Sequence, residues 1–584
     1  MEHKKDVDLA VLAKILRLAL PYRGLFVMCL LLAIIMAPIQ NVRPFLIERM
    51  VDDHIFKGDL AGLKTMALVY LVVVLLNVVI RYIFIYNSAK LGQSVVKDLR
   101  VKVFNHVSSL KLRYFDQTPI GKLTTRTISD VQAINDVFSQ GILTLLADVM
   151  GIFAVLGFMF MTSWRLSIIC LVTLPLMIIA TYIFKEKVKV AFQNVRTEIA
   201  KMNAFLQEQI SGMQVVQMFA AEKQEAEKFK VINRRYTRAN LNAVEYYAIF
   251  FPVVELISAL ALALLVWWGS KGIWNNTISV GAFVAFPMYL SMLFRPVRML
   301  ADKLNVLQMG IVAGGRVYEV LENDEKIEDL GSYHKDKLKG SLSFENVWFA
   351  YDEENYVLKD VSFEVAPGET MAIVGSTGSG KTTIINILNR FYEIQKGRIM
   401  IDGQNLKKYE TDNLRRRISL VLQDVFLFDG TIYENIALRD DSISREKVVE
   451  ASKVIGAHSY IERLPGGYDF QITERGSNLS MGQRQLISFV RSLVFDPDIL
   501  ILDEATSSID AETEGVIQYA IEKLIQKRTS IIIAHRLSTI KHADNILVLS
   551  QGQVMEQGNH QTLVAKSDGV YKELYEKQFD TSYS

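Results

Sequence analysis

The chain has 584 residues, half of them hydrophobic and 22% charged, which is too long for one compact core and too apolar for an intrinsically disordered protein. Lys and Arg number 65 against 63 Asp and Glu, so the net charge of +2 offers no basic excess for a nucleic acid, which is excluded as a partner. The two cysteines, Cys29 and Cys170, both fall in apolar runs, so neither a disulfide framework nor a cysteine zinc site is available.

Residues 1–22 read as an amphipathic elbow helix. Leu9, Leu12, Ile15, Leu16 and Leu20 recur at helical spacing with Lys14 and Arg17 on the other side, which suits a helix lying on a membrane surface or one docked on the protein itself. No cleavable leader is expected, because a long apolar stretch follows the charged run Met1 to Asp8 without a small-residue cleavage site. Residues 23–310 then hold six apolar stretches centred near Leu31, Val73, Gly151, Val172, Ala261 and Tyr289. A helix needs roughly 20 residues to cross a bilayer, and none of the six is an uninterrupted apolar block of that length. Pro38, Arg43, Pro44, Arg81, Asp148, Glu255 and Arg295 interrupt them, so these helices should face one another or a cavity along one side. Arg81 or Arg295 would suit an anionic lipid head group and Asp148 or Glu255 a cationic drug, unless such groups pair across helices.

The segments after the third and fifth stretches are short, whereas those after the second and fourth run for dozens of helix-favouring residues. The first long segment carries Lys90, Lys97, Arg100, Lys102, Lys111, Arg113, Lys122 and Arg126 against Asp98, Asp116, Asp130 and Asp136, a bias that marks the cytoplasmic side. The expected setting is a multi-pass protein of the cell inner (cytoplasmic) membrane, with the C-terminal half in the cytoplasm.

After a linker at 311–340, residues 341–580 change to short β-branched strands, helices and glycine turns, the alternation of a parallel α/β domain. Met371 to Val374 reads as a buried strand that leads into Gly375-Ser376-Thr377-Gly378-Ser379-Gly380-Lys381-Thr382, followed by Thr383 and an apolar helix over Ile384 to Leu388. This is a phosphate-binding loop in its required context: glycines let backbone N–H groups wrap phosphate oxygens, Lys381 serves the β and γ phosphates, and the Thr382 hydroxyl serves Mg²⁺. Asp498 to Asp503 reads as a second strand that ends in two carboxylates. Asp503 would hold the metal through water and Glu504 would orient the attacking water. A third run, Ser530 to Ala534, ends in His535, placed to contact the γ phosphate.

With these motifs in order, the chain resembles an ATP-binding cassette (ABC) half-transporter of the exporter type. Leu479-Ser480-Met481-Gly482-Gln483 is similar to the family's signature motif, which implies that Ser480, Gly482 and Gln483 cap the ATP of a partner subunit, at the start of a helix over Gln485 to Leu493. The resemblance further implies that Tyr351 stacks on adenine, that Gln423 is the Q-loop glutamine sensing Mg²⁺, that Asp510 belongs to the D-loop and His535 is the switch histidine. Glu474 resembles the exporter loop, with Thr473 where the family more often has glycine. Leu112 to Asp116 with Gly121 and Arg126 resembles a first coupling segment, and Glu208 to Gly212 with Val215, Val216 and Phe219 a second.

The fold class expected is therefore an α-helical six-span transmembrane domain plus an α/β P-loop NTPase cassette with a helical subdomain at about 425–495. The implied activity is ATP-driven export or flipping of amphipathic drugs or lipids by a homodimer or heterodimer with ATP and Mg²⁺. A non-pumping ATP-gated channel or regulatory membrane ATPase is the alternative.

Overall fold

The computed structural model describes residues 9–327, 331–352, 355–503, 511–534 and 540–579. They form two compact units, Met1–Ser109 with Thr118–Asp324, and Leu110–Gln117 with Glu325–Ser584.

Among the described residues, the first unit contains six helical stretches long and apolar enough to cross a membrane: Leu20–Ile55, Leu60–Ser108, Ile120–Thr162, Trp164–Ser211, Glu222–Trp274 and Val280–Leu321. At 1.5 Å per residue, the 49 residues of the second extend about 73 Å, well beyond a hydrocarbon core of about 30 Å. The sixth continues to Leu321, into the stretch expected to be linker. Pro44 acts at the first stretch as the sequence suggests: the helix stops at Asn41 and restarts over Arg43–Arg49, where proline near the N-terminus is tolerated because its missing N–H needs no partner there.

The elbow helix, Leu9–Arg17, docks on the protein along one face. Ile15 is fully buried and lies where a side chain on Gly314 would clash, Tyr318 donates to the Lys14 carbonyl at 3.0 Å, and Lys14 pairs with Glu322. Among the membrane-depth charges, Asp148 pairs with Lys303 across the third and sixth stretches, while Arg81, Glu255 and Arg295 stay exposed on the chain. Further along the same two stretches, Arg126 donates to Glu319 at 2.8 Å and Arg316 to Asp130 at 2.9 Å, so two ion pairs of opposite sense hold the start of the third stretch to the end of the sixth.

Among the described residues, the second unit has twelve strands: β1 Leu342–Ala350, β2 Tyr356–Val365, β3 Thr370–Gly375, β4 Lys396–Ile401, β5 Gln404–Asn405, β6 Ile418–Val421, β7 Gly430–Thr431, β8 Gln471–Ile472, β9 Ile499–Asp503, β10 Thr529–Ile533, β11 Asn545–Ser550 and β12 Gln553–Gly558. The central sheet has the order β12-β11-β3-β10-β9-β6, parallel except for the antiparallel edge strand β12. Its middle strands are apolar without alternation because both faces are covered. Ala372, Val374, Leu500, Leu502 and Ile532 face the core that includes the helical subdomain, and Met371, Ile373, Ile499, Ile501 and Ile531 face the one beneath the β2-β1-β4-β5 sheet.

A buried carboxylate fixes the entry to this unit. Asp402 accepts from the N–H groups of Lys339, Gly340 and Ser341 at 2.7 to 3.0 Å and from the Lys335 ammonium at 2.7 Å. Burial alone would raise its pKa, but Lys335 and the backbone donors outweigh that and hold it below the usual carboxylate value. A lowered folded-state pKa contributes stability that is complete above the unfolded value of about 4 and is lost as pH falls through the folded one. Asp402→Asn should therefore cost about 2 kcal/mol at neutral pH and flatten the acid limb of unfolding below about pH 4. Fluorescence of Trp348, in a chain with Trp164, Trp267, Trp268 and Trp274 changed to phenylalanine, would read both.

Candidate functional site

Four parallel strands deliver the motif residues to one edge of the central sheet. In register, Ile533 lies beside both Ile373 and Asp503, and Leu502 beside Val421, so β10 and β9 end level, β6 one residue earlier and β3 two residues further on. At about 4.8 Å between strands, the loop after β3 lies about 10 Å from the end of β9 and about 15 Å from that of β6. Ligands in open parallel sheets bind at this carboxyl edge.

The β3 loop turns through left-handed glycines, Gly378 at φ 81° and Gly380 at φ 105°. A β-carbon on Gly380 would come within 2.7 Å of Leu358, so glycine is required there by both backbone and space. The following helix, Lys381–Leu388, begins at the loop itself and points its N-terminal N–H groups at the cradle. Lys381 is 8% exposed and donates to the carbonyl oxygens of Gly375 and Ser376 at 2.8 and 2.9 Å. Burial pushes its ammonium below the ordinary lysine range, with Asp503 opposing the shift. The hydroxyl of Ser379, 2% exposed, has no hydrogen-bond partner, a buried donor that a phosphate oxygen would satisfy. Thr382 stands exposed at the first turn and Thr383 is buried. The donor set thus suits a polyphosphate.

Tyr351 follows β1. Its hydroxyl donates to Thr383 Oγ1 at 3.3 Å and accepts from Asn386 Nδ2 at 3.1 Å, which fastens the half-buried ring to the helix of the phosphate loop. Asp503 ends β9, and Gln423 lies exposed just beyond β6. Glu504, Asp510 and His535 lie outside the described residues.

The signature helix starts four residues earlier than expected, at Met481, and runs to Val494. Ser480 is its N-cap: its hydroxyl oxygen accepts from the Gln483 N–H at 3.3 Å while the Gln483 side-chain oxygen accepts from the Ser480 N–H at 2.9 Å. This reciprocal box, S-x-x-Q, was readable in the sequence and fixes the boundary. It leaves the Ser480 hydroxyl proton, the Gln483 side-chain NH₂ and the first-turn N–H groups, Gly482 among them, as donors. Thr473 has an extended backbone at φ −82° and ψ 172°, so its departure from glycine carries no strain.

Two residues that contact these motifs, Arg491 and Tyr392, escaped the motif reading. Arg491 of the signature helix donates to the carbonyls of Asn435 at 2.9 Å and Phe426 at 3.3 Å, which ties that helix to the segment after Gln423. Burial pushes its guanidinium down to about 10. Asp116 and Tyr392 meet through a hydrogen bond from the tyrosine hydroxyl, 276 residues apart, a separation at which no local pattern gives a signal.

Residues 25–297 match the ABC transporter transmembrane region and residues 358–507 the ABC transporter domain. The chain belongs to the ABC transporter family. It is 39% identical to the uncharacterized ABC transporter ATP-binding protein YknV of Bacillus subtilis (strain 168), over 99% of this chain and 96% of that protein. It is also 35% identical to the probable multidrug resistance ABC transporter ATP-binding/permease protein YheH of the same organism, over 93% of this chain and 81% of that protein. With the ATP-dependent lipid A-core flippase of Desulfotalea psychrophila (strain LSv54 / DSM 12343) it shares 34% identity, over 96% of this chain and 98% of that protein. The ABC transporter described here is thus an exporter-type half-transporter, with membrane domain and cassette fused in one multi-pass chain, and it couples ATP hydrolysis to transport.

Proposed function

We propose that this ABC transporter exports or flips amphipathic or lipophilic compounds, drugs or lipids, across the cytoplasmic membrane as a dimer whose cassettes face the cytoplasm. The observation that carries the reading is the fusion, in one chain, of six membrane-crossing stretches with a complete set of phosphate-loop and signature residues. The relatives named as a multidrug resistance transporter and a lipid A-core flippase support the substrate class.

In this reading Gly375, Ser376, Thr377, Gly378, Ser379, Gly380, Lys381, Thr382 and Thr383 cradle the phosphates, and Tyr351 stacks on adenine. Thr382, Gln423 and Asp503 would hold Mg²⁺, which would supply charge neutralisation at the β and γ phosphates. Ser480, Gly482 and Gln483 of each subunit close over the ATP of the other, aided by Asp510. These contacts form only in the closed dimer, so binding favours closure. Glu504 then orients and deprotonates the attacking water, His535 contacts the γ phosphate, and loss of that phosphate releases the sandwich.

ATPase activity of the purified chain in nanodiscs, measured against tetraphenylphosphonium and against increasing phosphatidylglycerol, tests the proposal. Stimulation by either is expected. Turnover that responds to neither, beside unchanged partition of both across proteoliposomes, would refute an exporter of such compounds.

A further inference from the structure

The end of the first membrane stretch opposite the elbow is not a regular α-helix. The helix Arg43–Arg49 passes into a π-helical turn over Met50–Ile55, a widened geometry that recurs at functional sites. Two carboxylate residues, Glu48 and Asp52, meet the start of the sixth stretch here. A β-carbon on Gly281 would come within 2.4 Å of the Glu48 carbonyl oxygen and 2.6 Å of Asp52 Oδ2, and the Gly281 N–H donates to Asp52 Oδ1 at 2.7 Å.

Glu48 is half-buried and reaches the third stretch, where its Oε2 accepts from the Thr162 hydroxyl at 2.7 Å. Tyr289 of the sixth stretch is 0% exposed, and its hydroxyl has no hydrogen-bond partner, with Thr162 and Glu48 as its electrostatic neighbours. Among the described residues no cation pairs with Glu48. Arg49 and Lys57 both pair with Asp53, His54 faces Asp59 at 2.9 Å, and Arg165 lies over the Trp164 ring. Lys64 is exposed, and neither the run from Val149 to Thr162 nor that from Val280 to Phe294 contains a charged residue. A charge at membrane depth needs a partner, and so does a buried hydroxyl.

From this convergence we propose that Glu48, Thr162 and Tyr289 form a binding site for a small monovalent cation, a proton or an alkali ion, that holds the first stretch to the third and sixth. Glu48 brings one negative charge and the hydroxyls are neutral, so a single positive charge balances the set. The side chains supply too few oxygens for the octahedron that Mg²⁺ demands or for the larger ligand shell of Ca²⁺. A bound proton is shared between Glu48 and the Tyr289 oxygen, whereas an alkali ion draws on the Glu48, Thr162 and Tyr289 oxygens together. Asp52, engaged by the Gly281 N–H, adds to the negative field without being the ligand. The site stands apart from the nucleotide chemistry and does not depend on which compound is exported.

Infrared difference spectra of the full chain in nanodiscs, free of nucleotide, test the site and separate the two cations. A proton should appear as a carboxylic-acid carbonyl band on acidification in choline chloride. An alkali ion should shift a carboxylate stretch when sodium replaces choline at constant ionic strength and alkaline pH. At least one of these responses is expected, saturable, absent from Glu48→Gln and retained in Asp52→Asn. Tyr289→Phe keeps the ring and the charge of the site, and should require about tenfold more of the same cation for half-saturation, the worth of one hydrogen bond or ligand oxygen. Thr162→Val should weaken the site in the same direction. The proposal is overturned by a carboxyl response that Glu48→Gln leaves intact, by one that disappears in Asp52→Asn, by a half-saturation unchanged in Tyr289→Phe, or by a response to Ca²⁺ alone.

Discussion

Lys381→Ala should weaken ATP binding by about tenfold to a hundredfold, the worth of one or two charge-assisted hydrogen bonds, and should leave no measurable turnover. The lysine is held in place by the loop that it serves, since its ammonium donates to the Gly375 and Ser376 carbonyls at 2.8 and 2.9 Å in a setting only 8% exposed. Burial already lowers its pKa, so an anionic phosphate is the partner that offsets the desolvation. Removing it has two consequences of the same sign: the phosphates lose a fixed cation, and two carbonyl oxygens of the cradle lose their donor. Lys381→Arg controls for charge, because a planar guanidinium cannot reproduce both short bonds in this pocket. Titration with a fluorescent ATP analogue would read both variants; affinity unchanged in Lys381→Ala would remove the phosphate cradle from this loop.

Much of this site was legible because its chemistry is local. The strand before the phosphate loop, its glycines and its lysine occupy one run, and the structure extends that expected strand only from Met371–Val374 to Thr370–Gly375. The β9 and β10 runs are apolar without alternation, the pattern of strands buried on both faces, and they pair in parallel as that pattern implies. What was hidden depends on contacts between distant positions. Whether Ile15 faces lipid or protein is decided by Gly314, nearly 300 residues on, and the same amphipathic spacing serves either outcome. The partner of Asp148 has no local signal until the fold brings Lys303 to it, and Tyr392 reads as an ordinary aromatic until Asp116 meets it. The start of the signature helix is a different case. Ser480 and Gln483 stand at the spacing of a reciprocal cap, but the same two residues carry the resemblance to a phosphate-binding motif, and the functional reading obscured the capping one.

Glu504→Gln should lower hydrolysis by about a thousandfold or more while preserving ATP affinity, because the amide keeps the shape of the side chain and loses only the capacity to take a proton from water. The strand that precedes it supplies the rationale. β9 ends at Asp503, level with Ile533 of β10 and two strands from the phosphate loop, so consecutive carboxylates arise where β9 reaches the nucleotide edge of the sheet. If Asp503 serves the metal and Glu504 the water, as proposed, the loss of each should look different. Asp503→Asn should impair the Mg²⁺ dependence of turnover, whereas Glu504→Gln should leave that dependence intact, slow the chemical step and accumulate a dimer with ATP still bound. Single-turnover hydrolysis, combined with mass measurement of the detergent-free particle in the presence of Mg·ATP, distinguishes the two. Rapid turnover in Glu504→Gln would assign proton abstraction to another group, and a loss of ATP affinity in that variant would place Glu504 in the binding of the nucleotide instead of its cleavage.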